Sequence, residues 1–337
     1  PLLNGTYTII GSMTYTTITD AVNAYNTSCI SGNVVFQLTD ATYLGEIFPI
    51  TINDNGSAGS GNTLTIMPAV GVTPAITGSS ASGIFVLNGA DYVTIDGANT
   101  PLTNSVCPAV SSARDMTITN TSTSTTSAVV WIQTATGGDS ATHNTIRNCN
   151  IVGSGNTRTL FGIGSGGTTI GYTSLGTNNN SNTIENNSII ATQTGIYSKG
   201  ASAADKNTGT VINLNHMDGT APDNLRNNGI FTGFEDGIVI SGNVLANITN
   251  GASNDIIGIN LGFGNNATGT GVTTGSDVTN ATVTNNKLDN ITQTNTYTVL
   301  GIAVAGVTTG TNLIANNMIS GLLGKGTGGD FTSGIFI

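Results

Sequence analysis

NTIENNSII (residues 182–190) carries the pattern that decides the fold: a short alternating apolar strand, a pair of Asn residues, then a second apolar strand. The same figure recurs in NTIRNCNIV (144–152), VINLNHM (211–217), IVISGNVL (238–245), ATVTNNKL (281–288) and NLIANNMI (312–319). A second series lies between these units. Gly162-Ile163, Gly195-Ile196, Gly229-Ile230, Gly258-Ile259, Gly301-Ile302 and Gly334-Ile335 each open a short strand, at intervals of 29 to 43 residues. Two series advancing together are the signature of a repeat architecture. Less regular earlier members are Gly83-Ile84 with residues 92–95, and residues 116–119 with residues 129–132.

Elementary packing explains the recurrence. A strand that is apolar at alternate positions buries one face only, and one turn of such strands has no core of its own. Stacked turns bury that face continuously. The corner between consecutive strands favours a residue that tolerates the left-handed region, which is Asn or Gly. Asn side chains stacked at such corners can bond one another and the neighbouring backbone. Asn148, Asn186, Asn215, Asn243, Asn285 and Asn316 are the candidates for this structural ladder. The expected fold is all-β: a right-handed parallel β-helix with a short N-terminal capping helix.

Composition agrees with that reading. Charged residues make up 8% of the 337, against roughly 25% in an ordinary soluble domain. The apolar residues are mainly Ile, Val and Leu interleaved with Thr, which is strand composition. Length is no obstacle, because a solenoid is not limited by one spherical interior. The net charge of -10 rests on only eight Lys and Arg, so no basic stripe for nucleic acid can form. No apolar run reaches the about 18 residues that membrane insertion demands. The sequence opens directly on PLLNGTYTII with no secretory leader, and reads as a mature chain or a module of something larger.

Cys29, Cys107 and Cys149 match no zinc spacing and no CxxC pair, and read as small buried hydrophobes. No metal site and no cofactor is expected. The first seventy residues differ from the rest. ITDAVNAY (18–25) is a helical patch with Asp20 as the expected N-cap, followed by strand-like NVVFQL (33–38), IFPITI (47–52) and TLTIM (63–67). The chain therefore divides into residues 1–70, a cap with the first coil, and residues 71–337, the coils proper. SGIFI at the C-terminal end is strand-like, so that end is expected to be uncapped. Neighbouring modules or identical subunits would then be partners, stacked head to tail.

ITDAVNAYNTSCISGNVVFQLTDATY (18–43) resembles the entry region of pectin-lyase-like parallel β-helix proteins, and the NTIENNSI-type units resemble their generic repeat. NGTYTI near the start, AITGSSASGIFVLNGADYVTIDG (75–97), and SAVVWIQT followed by HNTIRNCNI resemble modules of large secreted, adhesin-like proteins of Bacteroidetes exported by type IX secretion. That resemblance implies a secreted or cell-surface location, an adhesive or fibre-forming role and surface glycans as partners.

Many proteins of the wider group are polysaccharide lyases, hydrolases or esterases, so acid pairs matter. Glycoside hydrolysis needs two carboxylates across a groove. Glu235-Asp236, ahead of the strand from Gly237, is the acid pair that stands as the catalytic candidate; Asp91 and Asp96 flank YVTI as turn residues. The NTD, DD, GHG and RIK set of polygalacturonases is missing. His143 and His216 lack a nearby carboxylate in sequence and read as structural or surface residues. Arg147 and Glu185, one turn apart, read as a salt bridge along the stack. There is no G-x-S-x-G elbow and no phosphate loop. The Thr residues of TYTTIT and MTITNT do not keep one register through the coils, which speaks against an ice-binding face. Ser140, in Asp139-Ser140-Ala141, matches a short O-glycosylation signal of Bacteroidetes. The main expectation is a non-catalytic adhesin-like or fibre module. The alternative is a carbohydrate-active or carbohydrate-binding β-helix, with Tyr197, Phe231 and Phe234 lining a lateral groove.

Overall fold

The computed structural model describes residues 2–9, 15–100, 113–264, 276–305, 309–325 and 330–337. Among them, three long sheets of ten, eight and nine strands run the length of the molecule, and every strand pairing within the three is parallel. One turn of the coil is typified by Phe161–Gly166 in the third sheet, Thr183–Glu185 in the first and Ser188–Ile190 in the second. The next turn stacks Thr194–Lys199, Val211–Asn213 and His216–Met217 on these, residue against residue. The fold is a parallel β-helix, coiled in the right-handed sense that parallel crossovers take. Inward positions are Ile, Val and Leu in an unbroken column: Ile66, Ile95, Ile146, Ile184, Ile212, Ile240 and Val283 are all buried along the first sheet.

The helix α1 spans Ile18–Asn26 and closes the N-terminal end with Ile18, Ala21, Val22 and Tyr25 turned onto the core. Its N-cap is Thr17 rather than Asp20. Thr17 has extended backbone angles and its hydroxyl accepts from the Asp20 amide at 2.9 Å, while Asp20 sits in the first turn where the helix dipole favours an acid. Glu46 completes the cap by accepting from the Ile18 and Thr19 amides at 2.7 and 2.8 Å. At the opposite end the last coil exposes Leu313, Met318, Leu323 and Ile335.

Two adjacent columns form the Asn corner, not one. Asn148, Asn186, Leu214, Gly242, Asn285 and Asn316 all have φ between 50 and 67° and make the left-handed turn itself. The residue after each points inward, and there Asn187, Asn215, Asn243, Asn286 and Asn317 form the hydrogen-bonded ladder. Each of the first four donates its backbone N–H and its Nδ2 to the Oδ1 of the next, at 2.9 to 3.1 Å. Asn215 and Asn243 thus belong to the inner ladder, whereas Asn148, Asn186, Asn285 and Asn316 make the turn, where Asn186 Nδ2 also donates to Asn148 Oδ1 at 2.8 Å. The Asn-Asn pairs hide this distinction, because either residue of such a pair satisfies either position. Leu214-Asn215 and Gly242-Asn243 reveal it. Cys149 occupies the ladder position one coil earlier and donates its amide to Asn187 Oδ1 at 3.0 Å.

The Gly-Ile series has a steric origin. At Gly229 a Cβ would collide with the Leu245 side chain of the second sheet and lie 2.8 Å from the Gly258 carbonyl. At Gly195 the collision is with Met217. The second and third sheets converge here, and only glycine fits between them.

Candidate functional site

The two acids singled out in the sequence point in opposite directions. Strand Glu235–Asp236 pairs with Asn207–Thr208 at the corner that leads from the third sheet into the first. Period-two alternation turns Glu235 inward and Asp236 outward. Glu235 is wholly buried. Its Oε1 accepts from Ser198 Oγ at 2.6 Å and Asn207 Nδ2 at 3.1 Å, and its Oε2 from Thr210 Oγ1 at 2.8 Å. It continues an interior amide column in which the Asn179 amide donates to Asn207 Oδ1 at 2.9 Å. Burial pushes its carboxyl up to about 7 despite these three donors. A carboxyl with no access to solvent reaches no substrate, so Glu235 is a structural member of the stack.

Asp236 stands in the wall of an open groove of about 430 Å³, together with Lys206, Thr208, Thr279, Asn280 and Gly310. Its Oδ1 accepts from Thr279 Oγ1 at 2.8 Å and Asn280 Nδ2 at 2.7 Å, and its Oδ2 has no partner among the described residues. Lys206 Nζ donates to Asp277 Oδ2 and Thr279 Oγ1, both at 2.9 Å. The lysine charge is therefore met by Asp277, and Asp236 is fixed by neutral donors. The groove offers one preorganised carboxylate oxygen, hydroxyls and an amide, all on rigid coil positions. It can accept and donate hydrogen bonds to a polar, uncharged ligand. A second concavity of about 410 Å³, between the second and third sheets, is lined by Asn156, Thr220, Asn224, Asn247, Thr249 and Asn290.

The other residues of interest are spread over the coil. The Tyr92 and His143 rings stack at 4.6 Å. His216 does have a carboxylate nearby: Asp218 Oδ2 lies 3.5 Å from its Nδ1, an exposed pair that strand alternation puts on the same outer face. Arg147 pairs with Asp96 at 2.8 Å rather than with Glu185, although both acids neighbour it in register. Asp96 wins because it is buried and already aligned by the Ala98 amide and Asn148 Nδ2. Tyr197 and Phe231 line no groove. They stack with Trp131 and Phe161 on the outer side of the third sheet, where Tyr172 packs edge-on and Ser174 accepts from the Tyr197 hydroxyl. Phe234 is half-buried beneath the Lys199 ammonium, 5.5 Å away. Ser140 is half-buried in the segment after Ala128–Gln133. Cys29 is exposed and free; Cys149 is free and buried, its thiol pushed well up by burial; Cys107 lies outside the described residues. Among the described residues no three His, Cys, Asp or Glu side chains are grouped to hold a metal ion, and no helix is long and apolar enough to cross a membrane.

The sequence alone gives no sign that Lys206, Thr279 and Asn280 share a groove with Asp236. Thr279 and Asn280 come from one segment with Asp277 beside them, Lys206 comes from two coils earlier, and the loops between these coils differ in length, so no local spacing joins Lys206 and Asn280 to Asp236.

Comparison with solved structures finds a pectin methylesterase from Aspergillus niger, at 13% identity and a TM-score of 0.41, covering 97% of this chain and 87% of that one. It also finds an alginate lyase from Paenibacillus sp. str. FPU-7, at 14% identity and a TM-score of 0.39, covering 97% and 99%. The likeness is distant and bears on no residue of the groove. No family model matches the sequence, and no curated protein does.

Proposed function

We propose that this chain is an extracellular, non-catalytic carbohydrate-binding β-helix that holds a neutral glycan at the Asp236 groove. The observation that carries the reading is the Asp236 carboxylate, locked through Oδ1 by Thr279 and Asn280 with Oδ2 left open to a ligand hydroxyl. Sugar hydroxyls are recognised by such fixed polar groups, whose cost of ordering has already been met in the fold. A net charge of -10 disfavours polyanionic chains through long-range repulsion. The scarcity of charge and the open coil surface support an extracellular setting. The buried state of Glu235 argues against a hydrolase built on the Glu235-Asp236 pair.

Affinity electrophoresis in gels containing laminarin, xylan or polygalacturonate tests this. One of the two neutral polymers is expected to retard the chain, polygalacturonate is not, and Asp236→Ala abolishes the retardation. Absence of retardation by either neutral polymer would sink the proposal. So would release of reducing ends that a single carboxylate substitution stops, since that would make the chain an enzyme.

A further inference from the structure

The stacked rings of Tyr92 and His143 stand at the same corner of the coil as the Asp236 groove. Strand registers fix their order along the axis: Tyr92, His143, Ser181, Gly209, Gly237 and Asn280 occupy successive coils at one position. His143, Gly209, Gly237 and Asn280 are exposed, and the planes of the two rings lie 8° apart. Nothing bulky in this row separates the rings from the groove. One residue earlier in each coil runs a polar rail of Thr142, Asn180, Thr208, Asp236 and Thr279.

The imidazole is held in place. Thr142 donates its hydroxyl to Asp91 Oδ1 at 2.6 Å, so at His143 Nδ1, 3.0 Å away, the shared proton belongs to the ring. Stacking on Tyr92 fixes the plane of the ring. A flat, oriented ring at one end, an open row of backbone and a hydrogen-bonding groove at the other are the parts of a site for a linear molecule.

We infer that His143, backed by Tyr92, is a stacking subsite for one end of the same neutral glycan that the Asp236 groove holds, the terminal sugar lying across the coil axis on the free face of the ring and the chain turning from there along the coils to the groove. The inference rests on the reading of that groove as a carbohydrate site. His143 and Asn280 are four coils apart, roughly 19 Å at about 4.8 Å per coil, which only a chain of several sugars spans. The apolar face of a sugar ring packs on an aromatic plane, while its edge hydroxyls meet the rail. Asp54, Asp91 and Asp139 gather near the Tyr92 end, and their proximity, after burial, raises the Asp54 carboxyl above its usual range. Concentrated negative charge there repels acidic sugars.

Titration calorimetry with laminaribiose through laminarihexaose, and with the matching xylo-oligosaccharides, tests the inference on wild type, His143→Ala, His143→Phe and Asp236→Ala. Affinity is expected to rise with chain length in the wild type. His143→Ala leaves disaccharide affinity unchanged and lowers that of the longest oligomer about three- to tenfold, whereas His143→Phe retains it. A length-dependent gain that survives His143→Ala, or no gain in the wild type, overturns the stacking subsite and leaves the groove standing if Asp236→Ala still removes disaccharide binding. Binding indifferent to Asp236→Ala, or no binding of any oligomer, overturns the groove reading itself.

Discussion

Replacing Glu235 by Gln removes the single ionisable group from the interior amide column and makes a quantitative prediction. In the native chain the carboxyl titrates near 7, against an ordinary 4.5, because burial disfavours its charged form. Below about pH 4.5 both native and unfolded chains hold the proton, and stability is at its full value. Between about 4.5 and 7 the unfolded chain releases the proton while the native chain keeps it, so the unfolded state binds fewer protons and stability falls as pH rises. Above about 7 the loss is complete, and amounts to about 3 kcal/mol at about 1.4 kcal/mol per pH unit. The introduced carboxamide matches the Asn179 and Asn207 amides of the same column, and it can accept from Ser198 and donate to the Thr210 hydroxyl in place of the charged oxygens. Subtracting the variant's urea-unfolding profile from that of the wild type isolates this one group from Asp54 and Asp255, whose carboxyls burial also raises. The difference is expected to favour the variant progressively from pH 4.5 to 7 and then level off. A difference that is flat across this window, or that grows in the opposite direction, refutes the argument that burial keeps the Glu235 carboxyl protonated in the folded chain.

The two columns of the Asn corner should respond differently to substitution. Asn215→Ala strips a buried ladder position of its bonds to Ile184 O, Asn187 N and Asn243 Oδ1, and should cost about 3 kcal/mol or more in denaturant unfolding. Asn285→Ala, one residue outside the ladder at φ 59°, should cost about 1–2 kcal/mol through backbone strain alone, and Asn285→Gly less; equal costs at the two sites would contradict the division of the corner. Gly229→Ala should destabilise by about 1–3 kcal/mol because its methyl meets Leu245 and the Gly258 carbonyl, and a neutral result would show that the second and third sheets can separate there.

The fold was legible because its causes are local and repeated. Alternation marks each strand, left-handed tolerance marks each corner, and glycine marks each close approach, so NTIENNSII and Gly195-Ile196 each announce a coil. The register within the corner was less legible: Asn186-Asn187 satisfies both columns, and only Leu214 and Gly242 show which residue faces inward. The candidate site was half legible. Glu235-Asp236 drew attention as an acid pair, yet strand alternation sends one inward and one outward, and an isolated two-residue strand gives no sign of which. Thr279 and Asn280 bond Asp236, and Lys206 joins them in the groove wall, only through stacking across coils, a relation set by loop lengths that differ from turn to turn. The aromatic strip misled for a related reason. Outward rings in a strand look available, and nothing in the sequence says that the segment carrying Tyr172 folds back over them.

The most direct test of the central claim is a hydrogen-exchange footprint of the chain with and without the neutral polysaccharide that retards it. Sugar bound in the Asp236 groove should slow amide exchange at residues 206–210, 236–237 and 279–281 and leave residues 167–175, over the aromatic strip, unchanged. Protection confined to residues 167–175, or to the concavity of Asn247 and Asn290, would place the glycan elsewhere and contradict the assignment.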